Sequence, residues 1–213
     1  NSITIIGGGP VGAIFALLNK SQTSKILLLE ANSQNQARND KRALALSNGA
    51  KFILEKIDVW KDLEDRLTPI KTIHTSQKGT FGRSLMEAEE FEQEALGYII
   101  SYGDLITALQ KKISNSKNIE ALYNSEVLSF KSKEKTQSLI FKYKFEEKLL
   151  NCDLLVLADG GGSEINGINI MRTNKSFEHS ALVTHIETDI PHSNNAYERF
   201  TNMGPMALLP NLN

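Results

Sequence analysis

Gly7-Gly8-Gly9-Pro10-Val11-Gly12 follows directly on the apolar run Ile3 to Ile6 and opens a helical stretch from Val11 to Asn19. Lys25 to Glu30 then reads as a second apolar strand. Strand, glycine turn, helix and strand form a βαβ unit, which commits the chain to a parallel sheet with a crossover helix. The turn satisfies G-x-G-x-x-G. Gly7 permits the tight turn, Gly9 lets a pyrophosphate approach the backbone, and Gly12 allows the helix to pack closely on the strand. The helix N-terminus then faces the phosphates. Glu30 ends the second strand 18 residues after Gly12, where a carboxylate can accept hydrogen bonds from ribose hydroxyls. An acid there repels a ribose 2′-phosphate, which argues against NADP and leaves NAD or FAD.

The chain has 213 residues, enough for one large domain or two small ones. Its 24 basic and 25 acidic side chains leave a net charge of -1, which argues against a nucleic-acid backbone as partner. With 40% apolar and 23% charged residues the composition is that of a globular protein. Lys131, Lys133 and Lys135 are interleaved with Glu134 and read as a solvated hairpin. The single cysteine, Cys152, cannot form an internal disulfide and reads as a small core residue, so a reducing cytoplasm is the expected home. His74, His179, His185 and His192 lack metal-ligand spacing, and no metal site is expected. Gly-x-Ser-x-Gly is absent, which removes the hydrolase nucleophile elbow. No apolar run reaches the length of a membrane span, and no leader pattern opens the chain.

Beyond Glu30, the polar segment Asn32 to Lys41 must run over the surface. Arg42 to Ser47 leads into a helix with Ser47 as N-cap and Phe52, Ile53, Ile57 and Trp60 as its apolar face. From Pro69 to Ile100, alternating runs at Ile70 to Thr75 and Gly82 to Met86 predict antiparallel sheet. Leu105, Ile106, Leu109 and Ile113 have helical spacing. Strands are expected near Ile119 to Tyr123, Glu126 to Phe130, Leu139 to Phe145 and Leu154 to Ala158, and Phe177 to Leu209 alternates like a sheet. These blocks predict an α/β fold in which a dinucleotide-binding sheet is interleaved with a second, mainly antiparallel sheet domain.

The glycine turn and Glu30-Ala31 are joined by further blocks. These are Asp40 to Ser47, Asp58-Val59-Trp60, Thr68-Pro69-Ile70, Ile73 to Ser76 and Ala95 to Tyr98, then Leu157-Ala158-Asp159-Gly160 with Ser163, Glu198 to Thr201 and Gly204 to Pro210. On these residues the chain resembles the single-component aromatic flavoprotein monooxygenases, and within them the ubiquinone-biosynthesis hydroxylases. The resemblance implies a fold of the para-hydroxybenzoate hydroxylase type. A Rossmann-like FAD-binding domain at 1–68 and 98–170 is interleaved with a substrate-binding sheet at 69–97 and 171–213, and the C-terminal part is absent.

The resemblance also implies roles. Gly7, Gly9, Gly12 and Glu30 would hold the ADP half of FAD, Arg42 would lie along the pyrophosphate, and Asp159 and Gly160 would match the family's Asp-Gly motif. Val127 would run beneath the adenine. Arg199, Phe200, Gly204, Pro205, Leu209 and Pro210 would wall the substrate cavity. No catalytic side chain is required: NAD(P)H reduces the flavin, oxygen adds to give a C4a-hydroperoxide, and that group hydroxylates a polyprenylated phenol. A ubiquinone-biosynthesis complex and peripheral contact with the inner membrane face follow as expected partners.

Two departures stand out. Asn166 occupies the place where many relatives carry an arginine, and the third fingerprint, a Gly-Asp pair late in the chain, is missing. Gly103-Asp104 precedes the Asp-Gly strand and has the wrong order. The expectation is therefore the N-terminal part of a longer enzyme. Two other readings remain open from the residues: an NAD-dependent Rossmann dehydrogenase and a non-catalytic FAD-binding fragment.

Overall fold

A computed structural model describes residues 2–21, 24–133, 136–162, 164–171, 173, 175–176 and 180–211. Glu134, Lys135, Ser163, Phe177 and His179 lie outside the described residues. In chain order the elements begin β1 (Ser2–Ile6), α1 (Pro10–Leu18), β2 (Lys25–Glu30), α2 (Gln34–Arg38), β3 (Ala43–Leu46) and α3 (Asn48–Lys56). Next come β4 (Thr68–Ile70), β5 (Thr72–Gln77), β6 (Arg83–Glu87), β7 (Gly97–Ser101), α4 (Tyr102–Ser114) and β8 (Ile119–Tyr123). The last are β9 (Ser125–Lys133), β10 (Thr136–Tyr143), β11 (Glu146–Cys152), β12 (Leu154–Leu157), β13 (Asn195–Thr201) and β14 (Gly204–Leu208). The chain divides into two compact units, Asn1–Asp40 with Leu105–Val183 and Lys41–Asp104 with Thr184–Asn213.

The first unit is built on a parallel sheet of order β12-β1-β2-β8. Its strands are apolar on both faces, as a covered parallel sheet requires. On one face lie Ile5 and Leu28, on the side of α1, whose inward residues Gly12, Ala13, Ala16 and Leu17 are mostly small and let the helix approach. On the other, Ile6 and Leu29 pack with Val127, Leu139, Phe141, Cys152 and Ile165 under the meander β9-β10-β11. Each such large side chain removed from water contributes about 1.5–3 kcal/mol. Leu105, Ile106, Leu109 and Ile113 are all buried along α4, as their spacing predicts.

Two features of this unit differ from the sequence reading. The polar segment after Glu30 contains the short helix α2, capped by the Ser33 hydroxyl and without a buried residue. Strand β10 stops at Tyr143 because Lys144 and Phe145, at φ 51° and 69°, make a two-residue turn into β11. The strand β11 escapes a pattern search because most of its side chains are exposed; pairing with β10 makes it a strand.

The second unit holds two sheets, β3-β7-β4 and β14-β13-β5-β6. The first is antiparallel; in the second, β13 pairs parallel with β5 and the other pairings are antiparallel. Because β3 and β4 flank β7, residues 41–68 and 98–104 pack with this unit. Ser47 caps α3 by accepting from Ala50 N at 3.2 Å. The apolar face of α3 holds as expected at Ile57 and Trp60, both buried, but not at Phe52, 66% exposed, or Ile53; Leu54, 1% exposed, takes their place. Leu54 and Ile57, three residues apart, define the buried side together with Trp60, which turns Phe52 and Ile53 outward. The alternation from Phe177 to Leu209 yields strands only from Asn195 onward. Between residues 180 and 194 the described backbone has no strand, and Leu182, Val183, Ile186 and Ile190 are exposed.

The turn at Lys144 and Phe145 sets two non-glycine residues in the left-handed region, and the Phe145 side chain is 97% exposed. Phe145→Gly relieves that strain without removing a packed group and is expected to stabilise the protein by about 1 kcal/mol, read as a higher denaturant midpoint.

Candidate dinucleotide site

The carboxyl ends of β1, β2 and β12 converge on the glycine turn. In open parallel sheets this edge is where ligands bind. Gly7 N donates to Leu29 O at 2.8 Å and Ala158 N to Ile6 O at 2.7 Å, which fastens the turn to both neighbouring strands. Gly7 has φ 104°, and a Cβ there would lie 2.2 Å from Ala158 O and 2.9 Å from Asp159 Cα. The Asp-Gly segment therefore lies directly against the turn, and only glycine fits at position 7. A Cβ on Gly12 would stand 2.0 Å from Gly7 O, so the start of α1 can pack on the turn only as glycine.

Helix α1 is capped at Gly9 with no side-chain hydrogen bond, begins with Pro10, and carries no acid in its first turn. Its first amide groups have no intrahelical acceptor, and the helix dipole favours negative charge there. No carboxylate of that turn competes with an anion. These features fit a nucleotide pyrophosphate.

Glu30 closes the site on the other side. Its carboxylate accepts from Gly8 N at 2.7 Å through Oε2 and from Asn32 N at 2.8 Å through Oε1. Gly8 is a further glycine of the turn with a packing reason, since a Cβ there would lie 2.9 Å from Glu30 Cβ. Tyr123 is the register partner of Glu30 at the end of β8. Burial pushes its hydroxyl above the ordinary tyrosine range, offset in part by the positive charge of Arg38. Beyond β12, Asp159 Oδ1 accepts from Gly161 N at 3.0 Å, and Gly160 and Gly161 take φ 71° and 82°. This turn is compact and locally closed.

Gly7, Gly9, Gly12, Glu30, Asp159 and Gly160 are thus brought to one edge of the first unit. Val127 lies in the apolar cluster under β2, 8% exposed, as a packing residue. Arg42 belongs to the second unit, with its guanidinium 5.5 Å from the centre of the Tyr102 ring and its carbonyl accepting from Tyr102 N. The residues expected to wall a cavity form the hairpin β13-β14 and its exit. Arg199 pairs with Met206 and Phe200 with Pro205, so Arg199 and Phe200 face opposite sides of the sheet. Arg199 donates to Ser76 Oγ at 3.2 Å, Gly204 has φ 120°, Leu209 is exposed and Pro210 is buried. Sequence reasoning missed Gln110, a buried amide on α4 bonded to α2. The sole signal was a polar residue beside the apolar positions Leu109 and Ile113.

Residues 1–210 match a family described as FAD binding domain. Among relatives, a mitochondrial ubiquinone biosynthesis monooxygenase COQ6 from Drosophila melanogaster is 27% identical over 98% of this chain and 46% of its own length. The ubiquinone hydroxylase UbiM of Neisseria meningitidis is 24% identical over 99% of this chain and 47% of its own. The protein slr1300 of Synechocystis is 27% identical over 98% and 50%. The chain spans about half the length of these relatives. The fold is that of p-nitrophenol 4-monooxygenase PnpA from Pseudomonas putida, with TM-score 0.62 at 15% identity over 75% of this chain and 40% of that one. The flavin-dependent monooxygenase PieE, solved with FAD and substrate, gives 0.61 at 15% over 74% and 30%.

Gly12→Ala forces the first turn of α1 off the Gly7 carbonyl and is expected to cost about 1–3 kcal/mol in a denaturation curve. Gly162→Ala is the control: a Cβ there meets nothing within 4 Å, and its cost should stay within about 0.5 kcal/mol.

Proposed function

This chain belongs to the FAD-binding-domain family, and we propose that it holds FAD on its glycine turn as part of an aromatic-ring hydroxylase of ubiquinone biosynthesis. The observation that carries the reading is the convergence of Gly7, Glu30 and Asp159 at the carboxyl ends of adjacent parallel strands. The named functions of the COQ6 and UbiM relatives support the pathway.

In this assignment Gly7, Gly9 and Gly12 admit the pyrophosphate to the amide groups of α1, and Glu30 receives the adenosine ribose. Asp159 and Gly160 form the wall beside Gly7, with their backbone facing the pyrophosphate. Arg42 supplies positive charge to the same group, and Val127 contributes through the packing of β9 beneath β2. By function, residues 1–68 and 98–170 serve the flavin and 69–97 and 171–213 the substrate. Arg199 and Phe200, on opposite faces of β13, cannot both line one cavity, so the wall is made by one face of the β13-β14 hairpin with Leu209 at its exit.

Bound FAD, held by Gly7, Gly9, Gly12 and Glu30, would supply the redox chemistry, namely electron transfer from NAD(P)H and oxygen activation for ring hydroxylation. The chain's own residues bind and orient it and keep water from the reacting centre. A polyprenylated phenol is the proposed substrate. Its lipid tail motivates peripheral contact with the membrane face and with other proteins of the pathway. No helix among the described residues is long and apolar enough to cross a membrane. An NAD-dependent dehydrogenase accounts for the βαβ unit alone, whereas the family match runs on through β14 to residue 210.

The test is a visible absorption spectrum of the full-length protein incubated with FAD and desalted, beside Glu30→Ala. Retained flavin colour in the wild type and at least tenfold weaker retention in the variant are expected, since two hydrogen bonds to a charged group are lost. A colourless wild type that instead retains NAD would return the reading to a dehydrogenase.

A further inference from the structure

Helix α2 follows the ribose acid by four residues, has five residues and buries none of them fully, so no buried apolar side chain anchors it. What does hold it is Gln110 of α4, 3% exposed. Arg38 Nε donates to Gln110 Oε1 at 2.6 Å, and Gln110 Nε2 donates to the Gln34 carbonyl at 3.4 Å. One buried amide therefore grips both ends of α2, through a side chain at one end and the backbone at the other. Burying a primary amide costs free energy unless it is hydrogen-bonded, and a leucine would fit the apolar run around it at no such cost. Both of its functional groups are used, and both are used on α2.

The grip also aims a cation. With Nε committed to Gln110, the Arg38 guanidinium is tethered at the C-terminal end of α2, and its Nη groups take no part in that bond. Arg38 and Glu30 both act electrostatically on the Tyr123 hydroxyl, and Glu30 and Tyr123 are paired at the ends of β2 and β8. Because α2 begins four residues after Glu30, the tethered guanidinium stays close in the chain to the acid on which an adenosine would lie. A planar guanidinium suits a purine face or ribose oxygens, and a flexible lysine would not hold this orientation.

We propose that Gln110 is a positioning residue of the adenosine side of the FAD site, holding α2 and directing Arg38 onto the bound adenosine. This rests on the reading of the glycine turn as an FAD site. The experiment is calorimetric titration of FAD and, separately, of ADP into full-length apoprotein for the wild type, Gln110→Leu, Gln110→Glu, Arg38→Ala and the double variant Arg38→Ala/Gln110→Leu. Gln110→Leu and Arg38→Ala are each expected to weaken both ligands about tenfold. The double variant should be no weaker than either single one, because both act through the same guanidinium. Gln110→Glu keeps the acceptor for Arg38 but loses the donor to the Gln34 carbonyl, so it should weaken both ligands by an intermediate factor of about three.

Unchanged affinity in Arg38→Ala, additive losses in the double variant, or a Gln110→Glu that binds as tightly as wild type each overturn the inference. Should Gln110→Leu fail to fold in a thermal melt, the exposed Arg38→Ala and the conservative Gln110→Glu decide it. A wild type that binds neither FAD nor ADP overturns the underlying site reading instead.

Discussion

Everything at the carboxyl edge of the first unit depends on how closely the backbone of the glycine turn approaches its neighbours. Gly7 abuts the Ala158 carbonyl, Gly12 abuts Gly7, and Gly8 abuts Glu30, each at a separation no side chain tolerates. These three approaches join β12, α1 and β2 to one short loop. They create a cluster of backbone amides at a helix N-terminus beside a carboxylate, an arrangement that suits the proposed ligand, with phosphates at one end and a ribose at the other. The apolar layers beneath, Ile5 and Leu28 on one face and Ile6 and Leu29 on the other, hold that edge rigid.

The parts legible in the sequence are those where local chemistry and long-range packing agree. The βαβ unit is read correctly because its glycines, apolar runs and terminal acid all demand one geometry. The same agreement holds for Ser47, whose hydroxyl does cap α3, and for the four apolar positions of α4. Reading fails where pairing supplies what pattern lacks. β11 is polar and exposed along most of its length and exists through its ladder with β10. Conversely, the residues between 180 and 194 alternate well and form no strand, so alternation alone does not make one. Phe52 and Leu54 show a third limit: over so short a helix, periodicity cannot choose which of two apolar stripes faces inward.

Within the site, the residues that spacing singles out are those whose role is set by the backbone. Glycines advertise themselves because no other residue can substitute for them. Gln110 does not, since a glutamine in a helix is unremarkable until its burial and both of its partners are known. Sequence reasoning therefore finds a glycine turn more readily than a buried side chain that bonds a neighbouring element.

Glu30 illustrates why a preformed site of this kind is economical. Each of its carboxylate oxygens already accepts one backbone N–H, from Gly8 and from Asn32. An ionised carboxylate offers about four acceptor positions, so two remain for ribose hydroxyls without displacing either backbone bond. In the proposed site a nucleotide would thus add to an existing network. The same acid that would recognise the ribose also fixes the middle of the glycine turn, which places the amide groups of α1 before any phosphate arrives. Binding then requires little reorganisation of the backbone, and more of the contact energy appears as affinity.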